Sequence, residues 1–205
     1  FVDALREMVN VDCGSYTPDG VNVIADLCQA RFEGGRWAVE RVRHEPDDGQ
    51  EQLGDLVIGR LEGSGSKRVL MIGHTDTVFD TGTVAERPFA TQGDRAFGPG
   101  VTDMKGGLLT GFFAVEVLQA AGFEDFGKVT YVCNPDEEIG SPWSRETILA
   151  EAGRADAALV LEGARENGDI VSSRKGVLDV RLEIEGGAAH AGVEPERGRS
   201  AILEA

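Results

Sequence analysis

The feature that most constrains the fold of this chain is an alternation of short apolar segments with longer segments that have helical patterning. The apolar segments are RVLMIGH (68–74), KVTYVCN (128–134) and AALVLEG (157–163). Strands without a polar face are typical of a parallel sheet that is covered by helices on both faces. The sequence therefore predicts an α/β fold with a mostly parallel sheet. DLVIGRLEG (55–63) is predicted to add a further strand.

The pattern changes near the C-terminal end of the chain. In the segment 176–187, charged residues alternate with the apolar residues Leu178, Val180, Leu182 and Ile184. A period of two indicates a strand with one solvated face, hence an antiparallel sheet outside the main core. The polar stretch ARENGD precedes this segment and predicts a link. We therefore expect a first domain over residues 1–166 and the beginning of a smaller α+β domain over 167–205.

The composition is that of an ordinary globular protein, with 41% hydrophobic residues. A net charge of −16 argues against a nucleic-acid partner, which needs clustered Lys and Arg. Two interpretations of the acidic surplus stay open: solubility alone, or a local excess of carboxylates that holds cations. Three scattered cysteines without CxxC spacing are predicted to be buried free thiols: Cys13, Cys28 and Cys133.

The ends of the chain predict a piece of a longer polypeptide. The sequence starts at Phe1 rather than Met, and it stops in GRSAILEA, which resembles an unfinished helix. No signal peptide or membrane span is visible, so no membrane partner is predicted. The few cysteines favour the cytoplasm, although export stays open because the N-terminus of the protein is expected to be missing.

Acidic or imidazole residues follow each of the three apolar segments. In chain order they are His74 and Asp76, then Asp136, Glu137 and Glu138, then Glu162, and Asp103 lies in the loop FGPGVTDMKGG. The carboxyl ends of parallel strands meet at one edge of the sheet, so we expect these groups to converge. Carboxylates brought together repel one another unless positive charge lies among them, and one or two divalent metals would supply it.

Each residue alone also has an ordinary structural interpretation. His74 could be a hydrogen-bonded core histidine, the DEE sequence could be solvated charge, and Asp103 could be a helix N-cap. Their joint position at successive strand ends favours the metal site. Neighbouring Glu137 and Glu138 point to different sides of an extended loop, which would let one bind metal while the other acts as a base. Imidazole with carboxylates favours zinc, cobalt or manganese over calcium.

Four motifs in this order, GHTDTV, GPGVTDMKGG, NPDEEIGS and LEG, resemble the M20 family of zinc peptidases. The resemblance is strongest to the glutamate carboxypeptidase branch, which includes enzymes that remove C-terminal glutamate from folate-type compounds. GSYTPDGV near the start and RKGVLDVRLEIEGGAAHAGVEPERG near the end extend it. The resemblance implies a zinc-peptidase-like catalytic domain followed by a lid and dimerisation domain, and a homodimer formed through the latter.

The resemblance also implies a role for each matching residue. His74 and Glu162 would ligate one Zn²⁺, Glu138 would ligate a second, and Asp103 would bridge the two. Asp76 would orient His74, and Glu137 would be the general base and acid. His190, in GGAAHAG, would be a lid residue that stabilises the oxyanion of the intermediate, although it could equally be a surface-loop histidine. His44 has no such context and is predicted to be exposed.

Two parts of the family pattern lie outside these 205 residues. They are a second metal-ligating histidine and the arginine that grips the substrate's carboxylate. We therefore expect the isolated 205 residues to bind metal weakly and to show little turnover.

Three functions remain open at the level of sequence. The favoured one is a dinuclear zinc hydrolase that cleaves an amide bond next to a free carboxylate, with a small peptide or an N-acyl amino acid as substrate. An aminoacylase or succinyl-amino-acid deacylase would share the metal motifs. A non-catalytic, metal-dependent binding module is the alternative of another class, and such a module would have no use for Glu137. A nucleotide site is disfavoured because no glycine fingerprint follows the first apolar strand.

Overall fold

A computed structural model describes residues 1–176 and 180–204. The chain divides into two compact units, Phe1–Ala164 and Arg165–Ala205. The division falls at the start of the polar link ARENGD. The roles of the two units as a catalytic domain and as a lid or dimerisation domain stay predictions. Among the described residues, no helix is long and apolar enough to cross a membrane.

The first unit contains five helices and seven strands. The helices are α1 (Val2–Val9), α2 (Pro18–Gly34), α3 (Thr83–Glu86), α4 (Gly106–Ala120) and α5 (Arg145–Ala152). The strands are β1 (Ala38–Val42), β2 (Leu56–Glu62), β3 (Arg68–His74), β4 (Ala90–Gln92), β5 (Arg95–Phe97), β6 (Lys128–Asn134) and β7 (Ala157–Val160).

Five of the strands form one sheet in the order β1-β2-β6-β3-β7. The three apolar segments of the sequence are β3, β6 and β7, and β3 pairs in parallel with both of the others. β2 instead pairs antiparallel with β1 and β6, so the sheet is mixed. The α/β class is confirmed. The short antiparallel pair β4-β5, which the sequence did not predict, lies outside this sheet.

Helices and apolar side chains cover both faces of the sheet. On one face, Phe32 of α2 and Phe112 of α4 pack against Tyr131 of β6, with ring centroids 4.7–5.8 Å apart. The Tyr131 hydroxyl donates to the Leu108 carbonyl at 2.7 Å, which ties α4 to the sheet. On the other face, Leu70 and its neighbours pack against the α5 region. This two-sided burial explains why the central strands lack a polar face.

The strand register brings the functional ends together. His74 at the end of β3 pairs with Asn134 at the end of β6. Ile72 pairs with Val160, so Glu162, two residues further on, is level with His74. A 3₁₀ turn over Glu137–Ile139 follows β6 directly. The parallel pairing predicted from the sequence is therefore what aligns these groups along one edge.

The second unit contains less regular structure. It has a 3₁₀ turn over Pro195–Arg197, a short helix α6 (Ala201–Glu204) and an antiparallel bridge between Gly187 and Arg199. Part of the amphipathic strand expected here, residues 177–179, lies outside the described residues. Residues 180–186 form no strand, because no neighbouring segment among the described residues of this unit pairs with them.

Gly107 provides a test of how closely α4 must approach the end of β7. A Cβ at Gly107 would lie 1.7 Å from the carbonyl oxygen of Leu161, the residue before Glu162. We expect Gly107→Ala to lower the free energy of unfolding by about 1–3 kcal/mol, despite the better helix propensity of alanine. Urea unfolding measures this change.

The matched control is Gly34→Ala, in the last turn of α2. A Cβ at Gly34 meets no described atom within 4 Å. We expect this variant to be as stable as the parent or slightly more so. Equal unfolding midpoints for the two variants would contradict the close packing of α4 on the chain that leads to Glu162.

Candidate metal centre

His74 is the buried centre of the predicted cluster, with a side chain that is 1% exposed. Its Nδ1 lies 2.9 Å from the carbonyl oxygen of Asp76 and 3.3 Å from Oδ1 of the same residue. Because both neighbours are acceptors, Nδ1 carries the hydrogen and Nε2 is directed at the other side chains. The closer orienting contact is thus the Asp76 backbone, whereas the sequence predicted its carboxylate.

Two of the predicted ligands, Asp103 and Glu162, approach Nε2 of the third, His74. The distance from this atom is 3.2 Å to Asp103 Oδ1 and 3.5 Å to Glu162 Oε1. One potential ligand atom from each of the three residues lies within 4.8 Å of the other two, so a single cation could contact all of them. The other two side chains are more exposed than that of His74: the side chain of Glu162 is 30% exposed and that of Asp103 is 62% exposed. The cluster is therefore open to a ligand from solvent.

Asp76 connects His74 to the turn that follows β6. Its buried carboxylate accepts a hydrogen bond from the Glu137 N–H on Oδ1 and another from the Glu138 N–H on Oδ2, both at 3.1 Å. It also accepts a bond of 2.6 Å from the Ser15 hydroxyl. Hydrogen bonds to an ionised acceptor are among the stronger ones in proteins, so this carboxylate fixes the Glu137–Ile139 turn beside His74.

Ser15 is the part of the centre that the sequence did not indicate. It lies between α1 and α2, in the segment GSYTPDGV, and is buried against Asp76. Sixty-one residues separate the two partners. A serine before a helix is ordinarily a capping or turn residue, and no local pattern points to such a distant contact. The resemblance of the segment to M20 sequences was the only available signal.

Glu138 is the predicted ligand whose surroundings most require a cation. Its Oε1 is buried and has no hydrogen-bond partner among the described residues. Burial and the neighbouring charge of Asp103 raise the pKa of Glu138 to about 7. An unpartnered buried carboxylate oxygen is costly unless a positive charge satisfies it. The donor set and this oxygen therefore fit a divalent metal on the Asp103 and Glu138 side of the cluster as well.

Glu137 remains outside the three-residue cluster. Its side chain is 47% exposed, and Oε2 lies 3.9 Å from His74 Nε2. Burial raises the pKa of Glu137 above its ordinary value, and the charge of Glu162 adds to this while the charge of His74 opposes it. A carboxylate that is accessible, close to the cluster and shifted toward neutral pH suits proton transfer better than metal binding.

In the absence of a bound metal, a proton on His74 would balance the negative charge of the carboxylates around it. Burial disfavours the imidazolium, but hydrogen bonds and charges from Asp76 and Glu162 outweigh it and raise the pKa of His74 to about 11. The imidazolium then supplies the positive charge among the carboxylates. A metal ion bound at Nε2 would displace that proton.

Asp136 has a structural role, although it stands beside Glu137. It is buried, and its Oδ2 accepts hydrogen bonds from the N–H groups of Trp143 at 2.8 Å and Ser144 at 3.1 Å. The Ser144 hydroxyl donates to its Oδ1. Asp136 therefore fixes the segment that leads into α5.

The remaining histidines lie outside the cluster. The prediction that His44 is exposed is wrong: its ring packs against Trp143, and its Nδ1 accepts a 3.0 Å hydrogen bond from the Leu53 N–H. His190 is exposed in the second unit, where its Nδ1 accepts from the Gly192 N–H at 3.1 Å. Its role as a lid residue stays a prediction.

The three cysteines are buried free thiols, as predicted.

The mixed sheet and the cluster at its edge define an α/β protein with a group of residues that could hold a metal ion. A family model described as peptidase family M20/M25/M40 matches residues 70–203. The chain therefore belongs to this family of metallopeptidases. Both the family and the fold class expected from the sequence are confirmed.

Two relatives are similar to this chain over all or almost all of its length. Carboxypeptidase G2 of Pseudomonas sp. (strain RS-16) is 33% identical over 205 residues, which is 100% of this chain and 48% of the relative. Acetylornithine deacetylase of Myxococcus xanthus is 29% identical over 204 residues, which is 98% of this chain and 51% of the relative. The chain thus spans about half the length of these relatives.

A solved structure with the same fold is the M20 family metallo-carboxypeptidase Sso-CP2 from Sulfolobus solfataricus. It has a TM-score of 0.66 and 19% sequence identity, and the match covers 82% of this chain and 38% of that one. At this identity the likeness shows the fold.

The pKa shifts predict that the metal-free protein becomes less stable as pH rises. The folded state keeps a proton on Glu138 between the ordinary pKa of 4.5 and about 7, and one on His74 between 6.5 and about 11. In those ranges the unfolded chain binds fewer protons, so the free energy of unfolding falls with increasing pH. Urea unfolding in the presence of a chelator, at about pH 6 and about pH 9, measures the fall.

His74→Gln is the control for this pH dependence. It removes the imidazolium, so its free energy of unfolding should change less than that of the parent across the same interval. Identical pH profiles for the parent and the variant would contradict the assignment of the proton to His74.

Proposed function

We propose that this chain forms most of the catalytic centre of a dinuclear zinc hydrolase that cleaves an amide bond next to a free carboxylate. The observation that carries the proposal is the meeting of His74, Asp103 and Glu162 at one point, with the accessible carboxylate of Glu137 beside them. The similarity to carboxypeptidase G2 supports a carboxypeptidase, and a glutamate-type leaving group follows the resemblance of the sequence motifs to the glutamate carboxypeptidase branch. Because the chain covers about half of that relative, the activity is proposed for the whole protein.

The ligand assignment follows the contacts of each side chain. His74 and Glu162 would hold one zinc ion, and Glu138 would hold the second through its unpartnered oxygen. Asp103 lies close enough to influence both His74 and Glu138, which suits a bridging carboxylate. Cobalt or manganese would suit the same nitrogen and oxygen donors.

Glu137 and Asp76 would have separate roles in the hydrolysis. Zinc bound here would polarise the scissile carbonyl and lower the pKa of a bound water. Glu137 would take a proton from the attacking water and return it to the leaving amide nitrogen. Asp76 would hold His74 in the tautomer that leaves Nε2 free, and would hold Glu137 in place through its backbone N–H.

The second unit supplies the proposed lid. His190 would donate a hydrogen bond to the oxyanion of the tetrahedral intermediate, and a second copy of the protein could provide it. Homodimerisation through this unit belongs to the same proposal, as does a cytoplasmic location.

Replacing Glu137 tests the mechanism. In the whole zinc-loaded protein, Glu137→Gln should lower kcat/KM for a peptide ending in glutamate by at least about 100-fold, because the proton carrier is lost. Zinc per protein, measured by atomic absorption, should stay at the parent value. The neighbouring variant Glu138→Gln should instead lose zinc, because it removes a ligand.

Unchanged turnover in Glu137→Gln would overturn the assigned mechanism. A parent protein that binds zinc in full but hydrolyses no amide would point to the metal-dependent binding module instead.

A second candidate is an N-acyl amino acid deacylase. The similarity to an acetylornithine deacetylase over almost the whole chain favours it. Comparing N-acyl amino acids with peptides that end in glutamate would separate the two, since the former would be the better substrates of a deacylase.

A further inference from the structure

A cavity of about 580 Å³ opens beside the metal centre. Asp103 forms part of its wall and also belongs to the cluster around His74. We name it the Phe79 cavity, after the ring on which its one basic residue is stacked. Its lining includes Phe79, Arg87, Phe97, Val101, Thr102 and Asp103. A molecule in this cavity would therefore lie next to a proposed metal ligand.

Arg87 is the one basic residue that lines the Phe79 cavity. Its guanidinium carbon lies 4.9 Å from the centroid of the Phe79 ring, and none of the ion pairs among the described residues involves it. Stacking covers one face of the guanidinium and leaves its N–H edge available to a planar anion.

The other walls of the Phe79 cavity are largely apolar. The side chain of Phe97 is 45% exposed, and Phe79 and Val101 are partly exposed. Exposed apolar side chains that line a concave site next to reactive groups are typical of substrate pockets. The apolar side chains and Arg87 together therefore suit a ligand with an apolar chain that ends in a carboxylate.

We propose that the Phe79 cavity binds the acyl side of the substrate and that Arg87 selects acyl groups that end in a carboxylate. This inference rests on the proposed hydrolase function. A carboxylate at the far end of the acyl group would meet the guanidinium of Arg87, and contact of Arg87 with the leaving amino acid instead is the opposing outcome of the substrate comparison.

A pair of substrates isolates the contribution of Arg87. N-glutaryl-glutamate and N-pentanoyl-glutamate differ only in the carboxylate or methyl group at the end of the acyl chain. In the whole zinc-loaded protein, Arg87→Gln should lower the ratio of kcat/KM for the glutaryl over the pentanoyl substrate by about tenfold, because a charge-assisted hydrogen bond is lost. The control Arg95→Gln, an exposed arginine of β5 that does not line the cavity, should leave the ratio within about twofold.

The apolar wall is tested by a separate ratio. Phe97→Ala should lower kcat/KM for N-pentanoyl-glutamate relative to N-acetyl-glutamate by about threefold to tenfold, because buried methylene groups lose their contact. The glutaryl over pentanoyl ratio should change little, because Arg87 is retained.

Two results would overturn the inference. No change in kcat/KM for either substrate in Arg87→Gln would show that the arginine does not contact the substrate. Equal losses on both substrates would also leave the ratio unchanged, and would show that Arg87 contacts a group common to them.

A binding measurement separates this inference from the proposed function. Calorimetric titration of the catalytically disabled Glu137→Gln protein should show the same preference for the glutaryl compound, and Arg87→Gln should abolish it. If the zinc-loaded parent hydrolyses neither substrate, the proposed function fails, while this titration still decides the ligand preference of the cavity. A titration without preference would overturn the inference.

Discussion

The arrangement at the sheet edge depends on one electrostatic constraint: several carboxylates surround a single buried imidazole, and positive charge must lie among them. In the metal-free protein that charge is the proton on His74, whose pKa is raised to about 11. This proton does not satisfy every carboxylate of the cluster, since Oε1 of Glu138 is still buried without a hydrogen-bond partner among the described residues. Divalent metal at both positions would satisfy the imidazole and the carboxylates together.

Strand pairing and the hydrogen bonds of the Asp76 carboxylate bring these groups together. Parallel register aligns the ends of β3, β6 and β7, which places His74 level with Glu162 and next to the turn after β6. Asp76 then joins this turn and Ser15 to the chain beside His74 through hydrogen bonds of 2.6–3.1 Å. The close packing of Gly107 in α4 against the carbonyl of Leu161 fixes the backbone that leads to Glu162. Burial of His74 and exposure of Asp103 follow from the same geometry.

The sequence predicted those parts of the structure that repeat along the chain. Apolar strands alternating with helices identified the α/β class. His74 and Glu162 near strand ends, with Asp103 in the loop before α4, were expected to converge, and their side chains lie together in the structure. The antiparallel direction of β2 was not predicted, because a buried strand has the same composition in either direction. The contact of Ser15 and the burial of His44 were missed because both depend on distant partners, Asp76 and Trp143, that no local pattern reveals. The Phe79 cavity is likewise formed by segments that are separate in the sequence, around Phe79, Arg87 and Phe97–Asp103.

The most direct test of the account is anomalous diffraction at the zinc edge from crystals of the whole zinc-loaded protein. The account predicts two peaks: one at about 2.0–2.2 Å from His74, Asp103 and Glu162, and a second at a similar distance from Asp103 and Glu138. A map with the side chains of His74, Asp103 and Glu162 turned away from one another, and no peak among them, would contradict it.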